Sequence, residues 1–349
     1  MDLTLIILTT EGREYLLNNT LKYYKIFNCR IVVVDGGFKK KKLNNFANLK
    51  YFYLPGIILE KRLKFALLKS KTKYILLSQD DDFINLRLVK KGVDLLNKKK
   101  KISWVGGHQI YFEKFFGIYL FKEIQNIFVN KDYLSKNITD RVFFFLKYQP
   151  QLYASLFRKK ALIKALNDWN YCNLKIYFKR QKIDFFFELP YSLFMSFTGT
   201  YYHFDGIWQF RDGYATPNLS NDYLKYVSRF VTFFPKNIFK KSKAVQTLKK
   251  YMFKNLKKNI SKNNFQASFN DIVDFRYKKD IYTDNYKKYF FHFKFFLRKY
   301  FNFFFLIFKK INYFFSFILS LCSNKYFIKF NNKQTRSCWI KIEKILKKV

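Results

Sequence analysis

The chain has 349 residues, of which 49% are hydrophobic and 22% aromatic, while glycine (11) and proline (5) are scarce. This composition excludes a mainly disordered, collagen-like or linker-like chain and supplies enough apolar material for one large or two ordinary domains. Lysine and arginine number 67 against 24 aspartate and glutamate, a formal net charge of +43, which is typical of proteins that meet nucleic acid or an anionic membrane.

The basic excess has a second explanation, because Lys, Asn, Phe, Tyr and Ile are all inflated together. A joint excess of this kind favours compositional drift of the genome over selection for one binding face. The lysine runs Lys39–Lys42 and Lys98–Lys101 fall at predicted loops and helix ends, where a solvated charge costs little free energy. The charge alone therefore does not predict a nucleic-acid partner, and none is expected.

Four cysteines, Cys29, Cys172, Cys322 and Cys338, show neither a CxxC pair nor the spacing of metal ligands. They therefore predict neither a disulfide framework nor a structural zinc site. The chain passes from Met1 directly into a strand-like run, without the basic and small-residue features of a secretory signal. We expect a cytoplasmic protein with reduced thiols.

Short apolar, β-branched runs in the first 80 residues predict buried strands at Leu3–Thr9, Arg30–Asp35, Tyr51–Leu54 and Tyr74–Leu77. Hydrophobic residues at helical spacing predict amphipathic helices at Leu59–Leu67 and Leu86–Leu96. The remaining predicted elements are a strand beginning at Ile102–Val105 and ended by Gly106 and Gly107, a helical stretch at Tyr153–Leu166, a helix from Glu188 to Gly199, and strand-like pieces at Thr200–Phe204 and Ile207–Phe210. This alternation predicts an α/β fold with a mostly parallel sheet.

Polar residues follow three of the predicted strands, and the carboxyl ends of parallel strands share one edge of the sheet, where ligands bind. These residues are Thr9, Thr10, Arg13, Asp35, Gly36, Asp80, Asp81 and Asp82. Three consecutive carboxylates repel one another unless a cation is bound among them, and hard oxygen ligands suit Mg²⁺ or Mn²⁺. The sequence therefore predicts a crevice for a metal-bound phosphate, with a solvated acidic turn that caps the next helix near Asn85 as the alternative.

Several segments resemble those of inverting glycosyltransferases of the GT-A fold. Among these enzymes, the resemblance is to a group of bacterial proteins related to the family 2 enzymes. The segments are LTLIILTTEGR, RIVVVDGG, KTKYILLSQDDDF, GGHQIYF and FELPYSLFMSFTGTYYHFDGIWQFRD, and together they cover about residues 1–215. The resemblance implies a GT-A nucleotide-binding domain that transfers a sugar from a nucleoside-diphosphate sugar, most simply a UDP-sugar, to a cell-surface glycan or lipid-linked acceptor.

The resemblance also implies roles for individual residues. Thr9, Thr10, Arg13 and Asp35 would surround the base and ribose, Asp80 would lie near the ribose, Asp81 would join the donor site, and Lys61 would be a basic neighbour of the nucleotide. Asp82, with Asp80 and His203, would hold the metal, Arg211 would neutralise the leaving diphosphate, His108 would line the sugar pocket, and Glu188 would be the catalytic base. A helix-terminal carboxylate and a structural histidine are the alternatives for Glu188 and His203.

From about residue 216 glycine disappears and basic residues alternate with Phe and Tyr to the end of the chain, so we predict a boundary between 1–215 and a helical region 216–349. Phe301–Leu321 is nearly long enough to span a bilayer, but Lys309 and Lys310 lie at its middle. An interfacial helix on an anionic membrane, at the inner face of the plasma membrane, is therefore favoured over a span. An aromatic helix packed on the catalytic domain is the alternative.

Three other functions would account for parts of the sequence. A nucleotidyltransferase also uses an α/β sheet with acidic metal ligands, but the chain lacks the Gly-rich basic loop expected near the first strand. A protein that binds RNA or single strands would stack bases on Phe and Tyr while lysines follow the phosphates. A membrane-attached scaffold without activity would leave Asp80–Asp82 without a purpose.

Overall fold

The structure is a computed structural model, and it describes residues 1–43, 46–115, 118–123, 137–148, 154–172, 175–178, 181–184, 188–212, 243–272, 274 and 333–347. The strands are β1 (Leu3–Thr9), β2 (Arg30–Asp35), β3 (Leu49–Tyr53), β4 (Tyr74–Gln79), β5 (Asp82–Ile84), β6 (Ile102–Phe115), β7 (Ile118–Glu123), β8 (Leu156–Arg158), β9 (Lys175–Phe178), β10 (Gln181–Asp184) and β11 (Thr200–Asp212). The helices are α1 (Glu14–Tyr24), α2 (Leu59–Lys69), α3 (Leu86–Lys98), α4 (Ile138–Tyr148), α5 (Lys159–Cys172), α6 (Glu188–Thr198), α7 (Lys243–Leu256), α8 (262–272) and α9 (Lys333–Lys347).

Nine of these strands form one sheet in the order β3-β2-β1-β4-β8-β6-β11-β5, with β7 also paired to β6. The pairs β3–β2, β2–β1, β1–β4 and β6–β11 are parallel. Strand β8 is antiparallel to both β4 and β6, so those two strands run in the same direction. The predicted α/β fold with a mostly parallel sheet is confirmed. Six strands run in the same direction, so their carboxyl ends point to the same edge of the sheet: β1, β2, β3, β4, β6 and β11.

The sheet is covered on both faces by helices whose apolar stripes match its buried side chains. One core cluster contains Leu63 of α2, Leu162 of α5, Phe194 of α6, Met252 of α7 and Phe265 of α8. The other cluster is built on the opposite face by α1, α3 and α9. The α3 helix begins after Asn85, whose side chain accepts a hydrogen bond from the Arg87 N–H.

Three details differ from the sequence-based prediction. The stretch predicted as helical from Tyr153 contains strand β8, and helix α5 begins only at Lys159. A three-residue strand is too short to show a period of two, so pattern could not reveal it. Strand β6 also continues through Gly106, Gly107 and His108 instead of ending before them, and β11 is one strand rather than two pieces.

The two glycines have a packing reason inside β6. A Cβ atom at Gly107 would lie 3.0 Å from the Phe204 carbonyl oxygen and 2.9 Å from that of Gly206. Both oxygens belong to β11, whose register against β6 shifts between Phe204 and Ile207. Glycine therefore allows the bulged strand to approach closely, and it does not end β6.

Parts of the region after residue 215 pack against both faces of the sheet. On one face Tyr251 of α7 lies edge-on to Phe194, with ring centroids 5.3 Å apart. On the other, Trp339 of α9 contacts Phe112, Tyr119, Phe121 and Phe210, with centroid separations of 4.7–5.7 Å. Helices α7 and α9 therefore pack on the two faces of the sheet, while the boundary at residue 216 stays a prediction.

The predicted interfacial segment Phe301–Leu321 lies outside the described residues. Among the helices that the structure describes, none combines the length and the hydropathy needed to cross a bilayer.

Candidate functional site

The candidate site lies where β1, β2 and β4 end together. Thr9 is paired with Asp35, and Leu8 with Gln79, so the chain segments that follow these three strands meet at one edge of the sheet. The structure thus brings together Thr9, Arg13, Asp35 and the carboxylates that follow Gln79, as the sequence predicted. Thr10 is exposed beside them.

Asp80 is held by the side chains of Thr9, the last residue of β1, and Arg13, in the loop that follows it. Its Oδ2 accepts a hydrogen bond from Thr9 Oγ1 at 2.5 Å, and its Oδ1 lies 2.6 Å from both Arg13 Nε and Nη2. The Thr20 hydroxyl donates to the Asp80 carbonyl at 2.8 Å. Burial raises the pKa of Asp80 even though Arg13 opposes the shift. The Arg13–Asp80 pair is therefore a rigid, buried link between the first and fourth strands.

The next two carboxylates, those of Asp81 and Asp82, lie near Arg211 of β11 and accept fewer hydrogen bonds than Asp80 does. Asp81 Oδ2 lies 3.0 Å from Arg13 Nη2 and 3.5 Å from Arg211 Nε, and Asp82 Oδ1 lies 3.8 Å from Arg211 Nε. Asp82 Oδ2 accepts the Gln79 N–H at 3.0 Å. Burial, followed by the repulsion from Asp81, raises the pKa of Asp82 to about 7.

Burial decides between the two interpretations of the triple aspartate. The exposed fractions of Asp80, Asp81 and Asp82 are 2%, 1% and 1%. A solvated acidic turn would leave these side chains in water, so that interpretation is wrong. Three buried carboxylates cost free energy that the fold offsets only partly with Arg13 and Arg211, as expected of a binding site.

The donor set at these aspartates fits a divalent cation. Asp81 Oδ1 and Asp82 Oδ1 are buried without a hydrogen bond, and hard carboxylate oxygens suit Mg²⁺ or Mn²⁺. Within the described residues, no three His, Cys, Asp or Glu side chains are placed to hold a metal by themselves. Such a cation would therefore take two carboxylates from the protein and its other ligands from water or a bound phosphate, which is common for Mg²⁺.

The predicted third metal ligand, His203, is not grouped with these aspartates. It lies in the middle of β11, paired with Gly106, and its ring packs 4.5 Å from that of His108. His108 Nε2 in turn lies 3.4 Å from Asp205 Oδ1, at the bulge of β11. The two histidines therefore form a separate polar cluster of their own, several residues before Arg211 on the same strand.

Asp35 ends β2 and already has three hydrogen-bond donors. Its Oδ1 accepts from the Gly37 N–H at 2.9 Å and from Lys41 Nζ at 2.8 Å, and its Oδ2 accepts from the Tyr51 hydroxyl at 2.7 Å. Both charged partners are buried, with Asp35 0% and Lys41 6% exposed. The sequence pointed to Asp35 but gave no signal for Lys41, which stands in a run of four lysines.

Arg62 is a buried basic residue at this edge of the sheet that sequence reasoning did not single out, whereas the role of Lys61 stays a prediction. Lys61, the predicted basic neighbour, is exposed, whereas Arg62 is 7% exposed on the inner face of α2. The Arg62 guanidinium donates to the Thr9 carbonyl, and it lies 3.4 Å from that of Val34. The sequence did contain a sign that Arg62 is buried, because it stands four residues before Ala66 and so lies on the apolar face of α2.

Glu188, the predicted catalytic base, is the first residue of α6, so the predicted helix start is confirmed. Its side chain lies outside the part of the chain that the structure describes. Helix α6 packs on the sheet face that carries Trp104 and Tyr201, because its residues Leu193 and Phe194 belong to the same core cluster.

The sequence matches no protein-family model and no curated protein. Among solved structures, that of S. aureus TarS is 13% identical over 76% of this chain and 45% of its own, with a TM-score of 0.38. The 1-349 fragment of TarS in complex with UDP-GlcNAc is 14% identical over 78% of this chain and 80% of its own, with a TM-score of 0.40. The bifunctional IspDF from Campylobacter jejuni is 13% identical over 59% of this chain and 50% of its own, with a TM-score of 0.30. Similarity at this level does not assign the chain to a family.

Proposed function

We propose that this protein is a metal-dependent glycosyltransferase of the GT-A type, which moves a sugar from a UDP-sugar to a glycan or lipid-linked acceptor with inversion. The observation that carries the proposal is the buried cluster of Asp80, Asp81 and Asp82 with Arg13 and Arg211, at the carboxyl edge of a mostly parallel sheet. Ligands of α/β sheets bind at that edge, and a cation at the carboxylate oxygens that accept no hydrogen bond would offset part of the cost of burying them.

The diphosphate of the donor is assigned to the space beside Asp81, Asp82 and Arg211. A bound Mg²⁺ or Mn²⁺ would neutralise the negative charge that develops on the leaving diphosphate. Arg211 is 24% exposed in its side chain, so its guanidinium can donate to phosphate oxygens at the same time. Gln79 accepts from Arg211 Nη2 at 2.5 Å and keeps the guanidinium at the end of β4.

The nucleoside is assigned to the crevice between the ends of β1 and β2. Thr9, Arg13 and Asp80 form one wall, and Asp35 with Lys41 forms the other. Glu11 Oε2 accepts the Phe38 and Lys39 N–H groups at 2.7 and 3.1 Å, which ties the loop after β2 to the loop after β1. Such rigid walls hold a ligand without a large ordering cost.

The acceptor hydroxyl must lose its proton as it attacks the anomeric carbon, and Glu188 is the proposed base. We expect Glu188→Gln to keep its affinity for the donor and to lower the rate of transfer by about 10²–10⁴-fold, the usual contribution of general base catalysis. Equilibrium binding of UDP and release of UDP from UDP-sugars, measured on the same preparation, separate the two effects. A variant that loses both equally would remove Glu188 from the role of base.

A thermal-shift and donor-hydrolysis screen tests the whole proposal. UDP-, GDP- and CMP-sugars are each added with Mn²⁺ or with EDTA to the intact protein, to Asp82→Asn and to Asp94→Asn, a matched control at an exposed aspartate of α3. Metal-dependent stabilisation by UDP-sugars in the wild type and the control, but not in Asp82→Asn, is the expected result. A silent panel from folded protein would contradict the proposal.

In that case salt-dependent binding of single-stranded RNA is the next measurement, because a basic aromatic surface would then be the better candidate. Attachment to membranes is tested separately by sedimenting the full chain with liposomes. Binding to anionic liposomes and not to neutral ones is expected if the region after residue 216 lies on the inner face of the plasma membrane.

A further inference from the structure

Arg211 is placed differently from the other arginine at the carboxylate cluster. Arg13 is 9% exposed and approaches Asp80 to 2.6 Å with two nitrogens, so it is locked in place. Arg211 approaches Asp81 and Asp82 only to 3.5 and 3.8 Å, and its side chain is 24% exposed. Its guanidinium also donates to a neutral group, Gln79 Oε1, at 2.5 Å.

The charges of the cluster do not balance. When all three are ionised, the buried carboxylates of Asp80, Asp81 and Asp82 face two guanidinium groups, those of Arg13 and Arg211, which leaves a net charge of one negative unit. Asp81 Oδ1 and Asp82 Oδ1 are buried and accept no hydrogen bond. The oxygens that would bind a divalent cation are therefore on the same carboxylates that Arg211 faces at long range.

A divalent cation at Asp81 and Asp82 would repel the Arg211 guanidinium, because the two positive charges would share the same partners a few ångströms apart. The guanidinium has a second surface beside it, since its Cζ lies 5.9 Å from the centroid of the Tyr111 ring. Tyr111 is paired with Arg211 across β6 and β11. Rotation of the side chain towards this ring keeps it at the edge of the site without breaking the sheet.

We propose that Arg211 is an exchangeable counter-ion: it compensates Asp81 and Asp82 when no cation is bound, and it transfers to the donor diphosphate when the cation arrives. The diphosphate half of this exchange rests on the proposed function. Cation and nucleotide then bind cooperatively, because the cation releases the guanidinium that the nucleotide uses. By linkage, the nucleotide raises the affinity for the cation by the same factor.

The test is calorimetric titration of the full chain with Mn²⁺ alone, and then with UDP at saturating Mn²⁺. Wild type is compared with Arg211→Gln, with Arg211→Lys and with Arg30→Gln, a control at an exposed arginine that changes the net charge equally. We expect Arg211→Gln to bind Mn²⁺ about tenfold more tightly and UDP about tenfold more weakly, because one competing charge and one phosphate donor are removed. Arg30→Gln should change neither affinity, and Arg211→Lys should lie between wild type and Arg211→Gln.

The opposite signs of the two effects separate an exchange from a structural role, which would weaken both. Equal or weaker Mn²⁺ binding by Arg211→Gln, or no Mn²⁺ binding by either protein, overturns the exchange. Should Arg211→Gln fail to fold, judged by circular dichroism, Arg211→Lys must still bind Mn²⁺ more tightly than wild type, because its shorter side chain withdraws the charge. Tighter Mn²⁺ binding without any binding of UDP by wild type would support the exchange at the carboxylates and overturn the proposed donor.

Discussion

Breaking the buried ion pair between Arg13 and Asp80 should cost a large part of the stability of the apo protein. Arg13→Met keeps an unbranched apolar side chain and removes two contacts of 2.6 Å to Asp80 and one of 3.0 Å to Asp81. Removing one partner of a buried pair leaves an uncompensated charge and costs roughly 3–5 kcal/mol. Domains of ordinary size have only about 5–15 kcal/mol of unfolding free energy, so the loss should be visible in any unfolding curve.

The assay is urea unfolding in EDTA at neutral pH, followed by circular dichroism, for Arg13→Met, Asp80→Asn and the double variant. We expect each single variant to lose roughly 3–5 kcal/mol and the double variant to lose less than the sum, because the second change removes a charge that the first left unpaired. The control is the pair Lys164–Asp168 on α5, which has the same 2.6 Å separation but a lysine that is 56% exposed. Lys164→Met should cost less than about 1 kcal/mol.

Two results would refute this reasoning. The first is a loss below about 1 kcal/mol for Arg13→Met, which would equal that of an exposed pair. The second is a double variant whose loss equals the sum of the two single losses, since residues that share an interaction are not additive.

Three further predictions follow from burial. Burial and the neighbouring Asp81 raise the pKa of Asp82 to about 7. The folded state therefore keeps a proton that the unfolded state releases near pH 4. The free energy of unfolding of wild type in EDTA should fall as the pH rises from about 4 to about 7. Asp82→Asn should flatten this slope in urea unfolding across that range, and an unchanged slope would contradict the assignment. Trp339→Ala should lower the free energy of unfolding by roughly 3–5 kcal/mol, whereas Ile340→Ala, at a position 44% exposed on the same helix, should change it by less than about 1 kcal/mol. Burial raises the pKa of Cys29 to about 12 and that of Cys338 to about 11, so a thiol reagent at pH 8 should label these two cysteines only after unfolding. Rapid labelling of Cys338 in the native protein, mapped by mass spectrometry, would show that α9 is not docked on the sheet.

Most of the sheet could be predicted from the sequence because its strands have strong local signals. The runs Leu3–Thr9 and Arg30–Asp35 are short apolar segments rich in β-branched residues, and each is a strand with the predicted bounds. The carboxyl-edge rule then placed Thr9, Arg13, Asp35 and the three aspartates at one site without any knowledge of side-chain positions. Periodicity and a rule of topology were sufficient for this part of the molecule.

The contacts within the site were decided only by the tertiary structure. Lys41 reaches Asp35, and Arg62 rather than Lys61 faces the strand ends, because burial depends on which side of a loop or helix meets the sheet. In a chain with 67 basic residues, local pattern cannot identify the few that are buried. The docking of Trp339 against Phe210, at a separation of 129 residues, has no local signal either, since it depends on how distant apolar surfaces fit together.

The sequence by itself therefore determined the mostly parallel sheet, the edge at which its polar residues meet and the residue types at that edge. The tertiary structure decided which charges are paired there: Asp80 is locked by Arg13, while Asp81 and Asp82 face Arg211 at long range. The physical reason is that strand formation follows from the local order of apolar residues, whereas the pairing of buried charges depends on distances between atoms that lie far apart in the chain.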